Sequence, residues 1–320
     1  MTLLVSLLSF SLCFVLVPPV IALSWSIGAV DVPCDWRRMH RESIARGGGL
    51  AIYLAFAISL LTLEGVSRFT ATLLAGGLLM LLVGLADDIF CLGAWIKLFF
   101  QVTVAVAAVL GSGVQAGRGT VFAVLWVVTL TNAHNFVDGL DGLLAGTGAI
   151  EGTALWLALL LSGGRNVSAA PLLLALACLA FRYFNRYPAA VFAGDCGSGT
   201  VGFLLGMLSL PLLSTSVSSP AVISPLLIFA YPLTDLGTAV VRRLLRGKSP
   251  FAADRAHLHH RITAVGLTHV QCGGVLLSIS AGLAAVGVLI RAGWLLPSAL
   301  ASLGAALLLI SLRRFILDFS

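Results

Sequence analysis

Apolar segments follow one another along almost the whole chain, at about 3–28, 48–65, 69–86, 98–115, 120–134, 143–162, 169–185, 199–216, 221–241, 270–290 and 294–312. No other feature restricts the fold as much. A bilayer-spanning helix needs about 20 apolar residues, and eleven segments near that length leave little chain for anything else. Of the 320 residues 59% are hydrophobic and 10% charged, far from a soluble domain. The expectation is an all-α, polytopic membrane protein of about eleven transmembrane helices, one integral-membrane domain over 1–320. The first apolar run has no Lys or Arg before Arg37, so it reads as a retained span and not as a cleaved signal peptide. Six scattered cysteines without a CxxC pair argue against a disulfide framework or a zinc ribbon.

The net charge of +6 could suggest nucleic acid, but its distribution points to a membrane. With the N-terminus outside and the segments alternating, 15 of the Lys and Arg residues fall on inner connections and 4 (Arg68, Arg118, Arg165, Arg291) on outer ones. That is the positive-inside pattern, and no nucleic-acid partner is expected. The polar clusters fall on the same inner side, which suggests one cytosolic-face active site and not a pore. No internal repeat supports a transporter built from inverted halves.

Asn132, Asn135, Asp138 and Asp141 recur every three residues within TNAHNFVDGLDGLLAG. If that stretch is helical the four project toward one side. Such a row near lipid is costly and marks a functional site; its oxygens suit a hard cation such as Mg²⁺. A polar seam between helices is the plainer alternative. His134, inside the row, reads as a local hydrogen-bonding residue. Asp87 and Asp88 close the third apolar segment, with Lys97 and Gln101 after them. Adjacent carboxylates repel unless a cation or proton intervenes, so they read as acid/base or cation-attracting groups with Lys97 on a phosphate oxygen, or as an ordinary acidic helix end. In FAGDCGSG, after Asn185 and Pro188, glycines would let backbone N–H groups approach phosphate with Asp195 on a metal; alternatively Asp195 or Ser198 simply caps a helix. The longest inner connection holds GKSPF and then Arg255, His257, His259 and His260. Three histidines suggest zinc, while the basic surroundings favour a phosphate or nucleotide; a solvated basic loop is the third option. A further basic connection holds Asp31, Arg37, Arg38, His40 and Arg46 ahead of Gly47-Gly48-Gly49.

These clusters, in this order, resemble the polyprenyl-phosphate N-acetylhexosamine-1-phosphate transferases. The resemblance runs from about Asp31 to Arg261 and rests on RRMH and RGGG, Asp87–Asp88 with Lys97 and Gln101, NAHNFVDGLDGLLAG, Asn185 with Pro188 and FAGDCGSG, and Pro232, Asp235 and GKSPFAADRAHLHHR. HLHH is similar to the branch acting on GlcNAc-1-phosphate and less so to the MurNAc-pentapeptide branch. Ala45 and Ala193 stand where the family commonly has proline and methionine.

The resemblance implies transfer of GlcNAc-1-phosphate from a UDP-N-acetylhexosamine to undecaprenyl phosphate, with release of UMP, to start a cell-surface polysaccharide. It implies Mg²⁺ (with Mn²⁺ as a substitute) held by Asn135 and Asp195, catalytic roles for Asp87, Asp88, Asp138 and Asp141, and substrate binding by Lys97, Asn132, Asn185, Arg255, His257, His259 and His260. The implied location is the bacterial inner membrane, multi-pass, with the site facing the cytosol; a homodimer is compatible with it. Other donors, such as FucNAc, bacillosamine-type or MurNAc-pentapeptide nucleotides, stay open. A CDP-alcohol phosphatidyltransferase fits poorly, because Asp138-Gly139 is not followed by that class's Arg. A transporter would need polar residues along the depth of several spans, whereas here, Glu151 apart, the acids hug one face.

Overall fold

The computed structural model describes residues 2–32, 43–113, 118–162, 168–214, 219–249 and 266–294. The Arg37–His40 stretch, Arg255, His257, His259, His260 and nearly all of the last apolar segment lie outside these residues.

The described helices are α1 (Thr2–Ile27), α2 (Gly48–Glu64), α3 (Arg68–Phe90), α4 (Ala94–Gly111), α5 (Arg118–Val137), α6 (Leu143–Leu160), α7 (Ala170–Asn185), α8 (Gly194–Ser214), α9 (Ser219–Ile228), α10 (Ala230–Leu245) and α11 (His269–Arg291). Each of the first ten apolar segments coincides with one helix or, for 221–241, with two. Seven of the described helices are long and apolar enough to cross a membrane, eight if the bent pair is one span; α2 and α7 are shorter apolar helices. The chain is therefore an all-α polytopic membrane protein.

The ninth segment departs from the expectation of a single span: α9 and α10 meet at 80°. Pro232, in the first turn of α10, has no N–H to give the carbonyl one turn back, so the ladder is interrupted where the chain turns. A second departure is a short antiparallel pair, β1 (Val30–Asp31) with β2 (Ile44–Ala45), beside which Val191 bridges Ala45. Backbone bonds from Gly48 N to Phe192 O, Gly49 N to Ala193 O and Phe192 N to Ala45 O continue this knot. It fastens the entry to α2 onto the entry to α8.

α8 is the axis of the bundle. Its apolar window is 89% buried, against 28% for α4, and it packs on α2, α3 and α5. Small residues permit the approach, as membrane helix packing requires. A Cβ at Gly84 of α3 would lie about 2.5 Å from Asp195 O, and one at Gly49 of α2 would fall on the Gly197 backbone. α2 and α3 thus converge on the first turn of α8.

At the far end of the bundle Glu64 accepts from Ser168 Oγ and Ala169 N, Arg68 donates to Gly111 O, and Arg291 donates to Ser162 Oγ. The carboxylates Asp87, Asp88, Asp138 and Asp195 gather at the opposite end.

Candidate functional site

Asp87 and Asp88 lie on the last turn of α3, which ends at Cys91 in the left-handed region (φ 53°). Their side chains part. Asp88 reaches the start of α8, where Oδ1 accepts from Asp195 N at 2.9 Å and Oδ2 from Cys196 N at 3.0 Å. Its side chain is 0% exposed, and Arg46 lies 3.4 Å away. The cap of α8 therefore comes from another helix and not from Asp195 or Ser198. A carboxylate at a helix N-terminus satisfies orphan N–H groups and meets the positive end of the dipole.

Because Asp88 caps the helix, the Asp195 carboxylate is left to face the cleft. α4 starts at Ala94 and places Lys97 in its first turn. Lys97 Nζ donates to Asp87 Oδ2 at 2.7 Å and to Asp195 Oδ2 at 3.3 Å. Lys97 and Asp195 are each 23% exposed at the side chain, so the trio opens to solvent or substrate. The cleft is lined by Lys97, Gln101, Asn135 and Asp195, with Met80, Val83, Gly84 and Gly199 as walls.

The polar row divides because α5 stops at Val137. Asn132 and Asn135 are on the helix, and Asp138 and Asp141 are in the following turn. Asn135 Oδ1 accepts from Ser198 Oγ at 2.9 Å. Asn132 donates to Gln101 Oε1 at 2.8 Å and to Val128 O, tying α5 to α4. Asp141 accepts from Ala189 N at 3.0 Å. Asn185, buried at the end of α7, accepts from Gly142 N and donates to Val191 O. Asp141 and Asn185 together fasten the 138–142 turn to the loop that leads to α8.

Burial first, then the charges of Asp195, Asp88 and Asp141, push the Asp138 carboxyl well above the ordinary carboxylate range against the pull of Arg46. Burial works against the Arg46 charge, but Asp88, Asp195 and Asp138 outweigh it and raise its pKa. Among the described residues four carboxylates (Asp87, Asp88, Asp138, Asp195) face two cations (Arg46, Lys97). Counted over those residues alone, the fully ionised cluster is two positive charges short of balance.

Two residues enter the site in ways their motifs do not specify: Arg46 of the RGGG stretch beside Asp88, and Ser198 of FAGDCGSG on Asn135 rather than as a helix cap. His134 makes the local hydrogen bond expected of it and has a second, distant partner. The ring Nε2 lies 2.7 Å from Glu151 Oε2 on α6, both side chains fully buried, and Nδ1 lies 2.8 Å from Leu130 O.

Among the described residues no group of three or more His, Cys, Asp or Glu is arranged to hold a metal. The donors that do face the cleft, Asp195 and the Asn135 carbonyl with Asp87 beside them, are hard oxygens. They fit Mg²⁺, which is commonly held by one or two carboxylates plus substrate phosphates and not by a complete protein cage.

The helices and this cleft define a polytopic membrane protein with a cleft lined by acidic and amide side chains at one end of its bundle. The model of glycosyl transferase family 4 matches residues 70–213, which hold the α3, α4, α5 and α8 parts of the site. The chain is 34% identical over 83% of its length to a Bacillus subtilis (strain 168) protein named "Probable undecaprenyl-phosphate N-acetylglucosaminyl 1-phosphate transferase", covering 80% of it. It is 34% identical over 76% of its length to the decaprenyl-phosphate N-acetylglucosaminephosphotransferase of Mycolicibacterium smegmatis, covering 70%. It is 31% identical over 88% of its length to the undecaprenyl-phosphate alpha-N-acetylglucosaminyl 1-phosphate transferase of Yersinia pestis, covering 81%. The chain belongs to glycosyl transferase family 4.

Proposed function

We propose that the protein transfers GlcNAc-1-phosphate from UDP-GlcNAc to undecaprenyl phosphate and releases UMP, at the cytosolic face of a bacterial inner membrane. The observation that carries this is the open cleft in which Lys97 meets Asp87 and Asp195 beside Asn135, at the end of apolar helices. The relatives named above, all acting on polyprenyl phosphates by their names, support the substrate class.

The acceptor is an anion on an isoprenoid tail; the donor is a water-soluble diphosphate. A shallow cleft at the membrane boundary lets the tail stay in lipid while the two phosphates meet. An acceptor phosphate oxygen attacks the sugar-linked phosphorus, the bond from that phosphorus to the bridging oxygen breaks, and UMP leaves. A phosphate monoester has a second pKa near 6 and is mostly dianionic at neutral pH, so deprotonation by Asp87 helps but is not required. Asn135 and Asp195 would hold Mg²⁺, which when bound neutralises charge on the diphosphate. Lys97 moves from its two carboxylates to a phosphate oxygen. Asn132, through Gln101, and Asn185, through the Gly142 and Val191 backbone, hold the walls of the cleft. Asp138 and Asp141 position the turn on the donor side, and Arg255, His257, His259 and His260 complete it by family resemblance.

The test is purified protein with undecaprenyl phosphate, Mg²⁺ and a panel of UDP-sugars. UMP release is expected with UDP-GlcNAc and not without the lipid. No release with any donor would sink the assignment, and release with another 2-acetamido sugar alone would replace GlcNAc.

A further inference from the structure

We infer that the buried His134–Glu151 pair is a positioning device: it sets how the α5–α6 hairpin closes, and thereby aims Asn135 and the Asp138–Gly142 turn at the cleft. The hydrogen-bond chemistry fixes most of the pair's state. A carbonyl oxygen only accepts, so Nδ1 of His134 carries a proton and gives it to Leu130 O. One further proton then lies between Nε2 and Glu151 Oε2, on either atom. The pair is net neutral in both arrangements, which suits a fully buried site in apolar helices.

Its place in the fold says what it holds. α5 packs chiefly on α8 and α6 chiefly on α7, and the two helices have little direct packing between them. The connection that carries Asp138 and Asp141 is fastened to the loop ahead of α8 by Asp141 and Asn185, but those bonds do not set α5 against α6. His134–Glu151 ties these two helices directly, 17 residues apart in sequence and 2.7 Å apart in space. It sits one residue before Asn135, on the helix whose rotation decides whether the Asn135 carbonyl faces Ser198 and the cleft.

Stability alone does not explain the pair. Glu151 Oε1 has no hydrogen-bond partner among the described residues, and a buried ionisable pair generally stabilises no better than apolar residues of similar volume. What an apolar pair lacks is a fixed length and direction.

The inference rests on the reading of Asn135 as a metal ligand, and two variants test it. Glu151→Gln keeps the length and can donate its amide N–H to Nε2, losing only charge. Glu151→Asp keeps the charge and shortens the reach by one methylene. Binding of Mn²⁺ to the purified protein, read by electron paramagnetic resonance, is measured beside UMP release. Expected are near-wild-type values for Glu151→Gln. For Glu151→Asp, Mn²⁺ affinity and kcat both fall about tenfold or more, with KM for undecaprenyl phosphate unchanged. If Glu151→Asp lowers the thermal midpoint too far for kinetics, the apolar pair H134L/E151L, folded but with weakened Mn²⁺ binding, answers in its place. Wild-type Mn²⁺ binding in Glu151→Asp, or in the apolar pair where that stands in, overturns the inference, as does an equal loss in Glu151→Gln. A wild-type protein that binds Mn²⁺ but releases no UMP with any donor removes the proposed reaction and leaves the positioning test standing.

Discussion

Asp88 commits both carboxylate oxygens to the first turn of α8, whereas the Asp87 side chain meets the Lys97 ammonium at the edge of the cleft. Replacing Asp88 by Asn leaves one acceptor and turns an amide N–H toward a backbone N–H, so a thermal midpoint loss equivalent to about 1–3 kcal/mol is expected, together with lost activity. Replacing Asp87 by Asn is expected to leave the midpoint in place and lower kcat about a hundredfold. A rate that recovers at high pH assigns Asp87 as base; one that stays low and needs more Mg²⁺ assigns it to cation attraction. Asp138 adds a pH dependence. Its raised pKa means the folded protein binds this proton more tightly than the unfolded chain, so its contribution is fully present below the unfolded carboxylate pKa and is lost as pH rises through the folded one. In metal-free protein at neutral pH, Asp138→Asn is therefore expected to raise the thermal midpoint in a calorimetric scan, with a gap from wild type that widens as pH rises. The adjacency of Asp87 and Asp88 was visible in the sequence, but their division was not. It depends on where the start of α8 lies, 107 residues further on.

At the level of elements the site depends on how closely α2 and α3 approach α8. Gly84→Ala would drive a methyl group into the Cys196 and Asp195 backbone. It is expected to lower the thermal midpoint and cut kcat by at least about tenfold. Gly274 of α11 has nothing within 4 Å of a Cβ, so Gly274→Ala is the matched control, expected to leave UMP release unchanged. Nearly uniform apolar runs made the helices legible, but not their ends. The fourth apolar segment begins at 98, so hydropathy alone leaves Lys97 outside a helix that starts at Ala94. The row at Asn132, Asn135, Asp138 and Asp141 kept its period of three past the point where the helix stops, because spacing continues through a turn that only the backbone reveals. The break between α9 and α10 had a visible cause in Pro232, overridden by the unbroken hydropathy around it.

For the whole molecule, the two ends of the bundle differ in kind. One carries the carboxylates, Lys97 and Arg46; the other carries the contacts of Glu64, Arg68 and Arg291. Nucleotide sugars are made in the cytosol and are too polar to cross lipid unaided, so the carboxylate end must face inward if the proposed reaction holds. Positive charge on the inner connections requires the same orientation. Two positions allow a direct reading. Cys91, exposed just after α3, lies at the carboxylate end, and Val66, 81% exposed between α2 and α3, lies at the other. In a Cys91→Ser background, Val66→Cys is expected to react with a membrane-impermeant maleimide in intact cells. Wild-type Cys91 is expected to react in inside-out vesicles and not in intact cells, with Cys91→Ser as its control. The reverse pattern would place the cleft outside, where no UDP-sugar is supplied, and would end the proposed reaction while leaving the fold untouched.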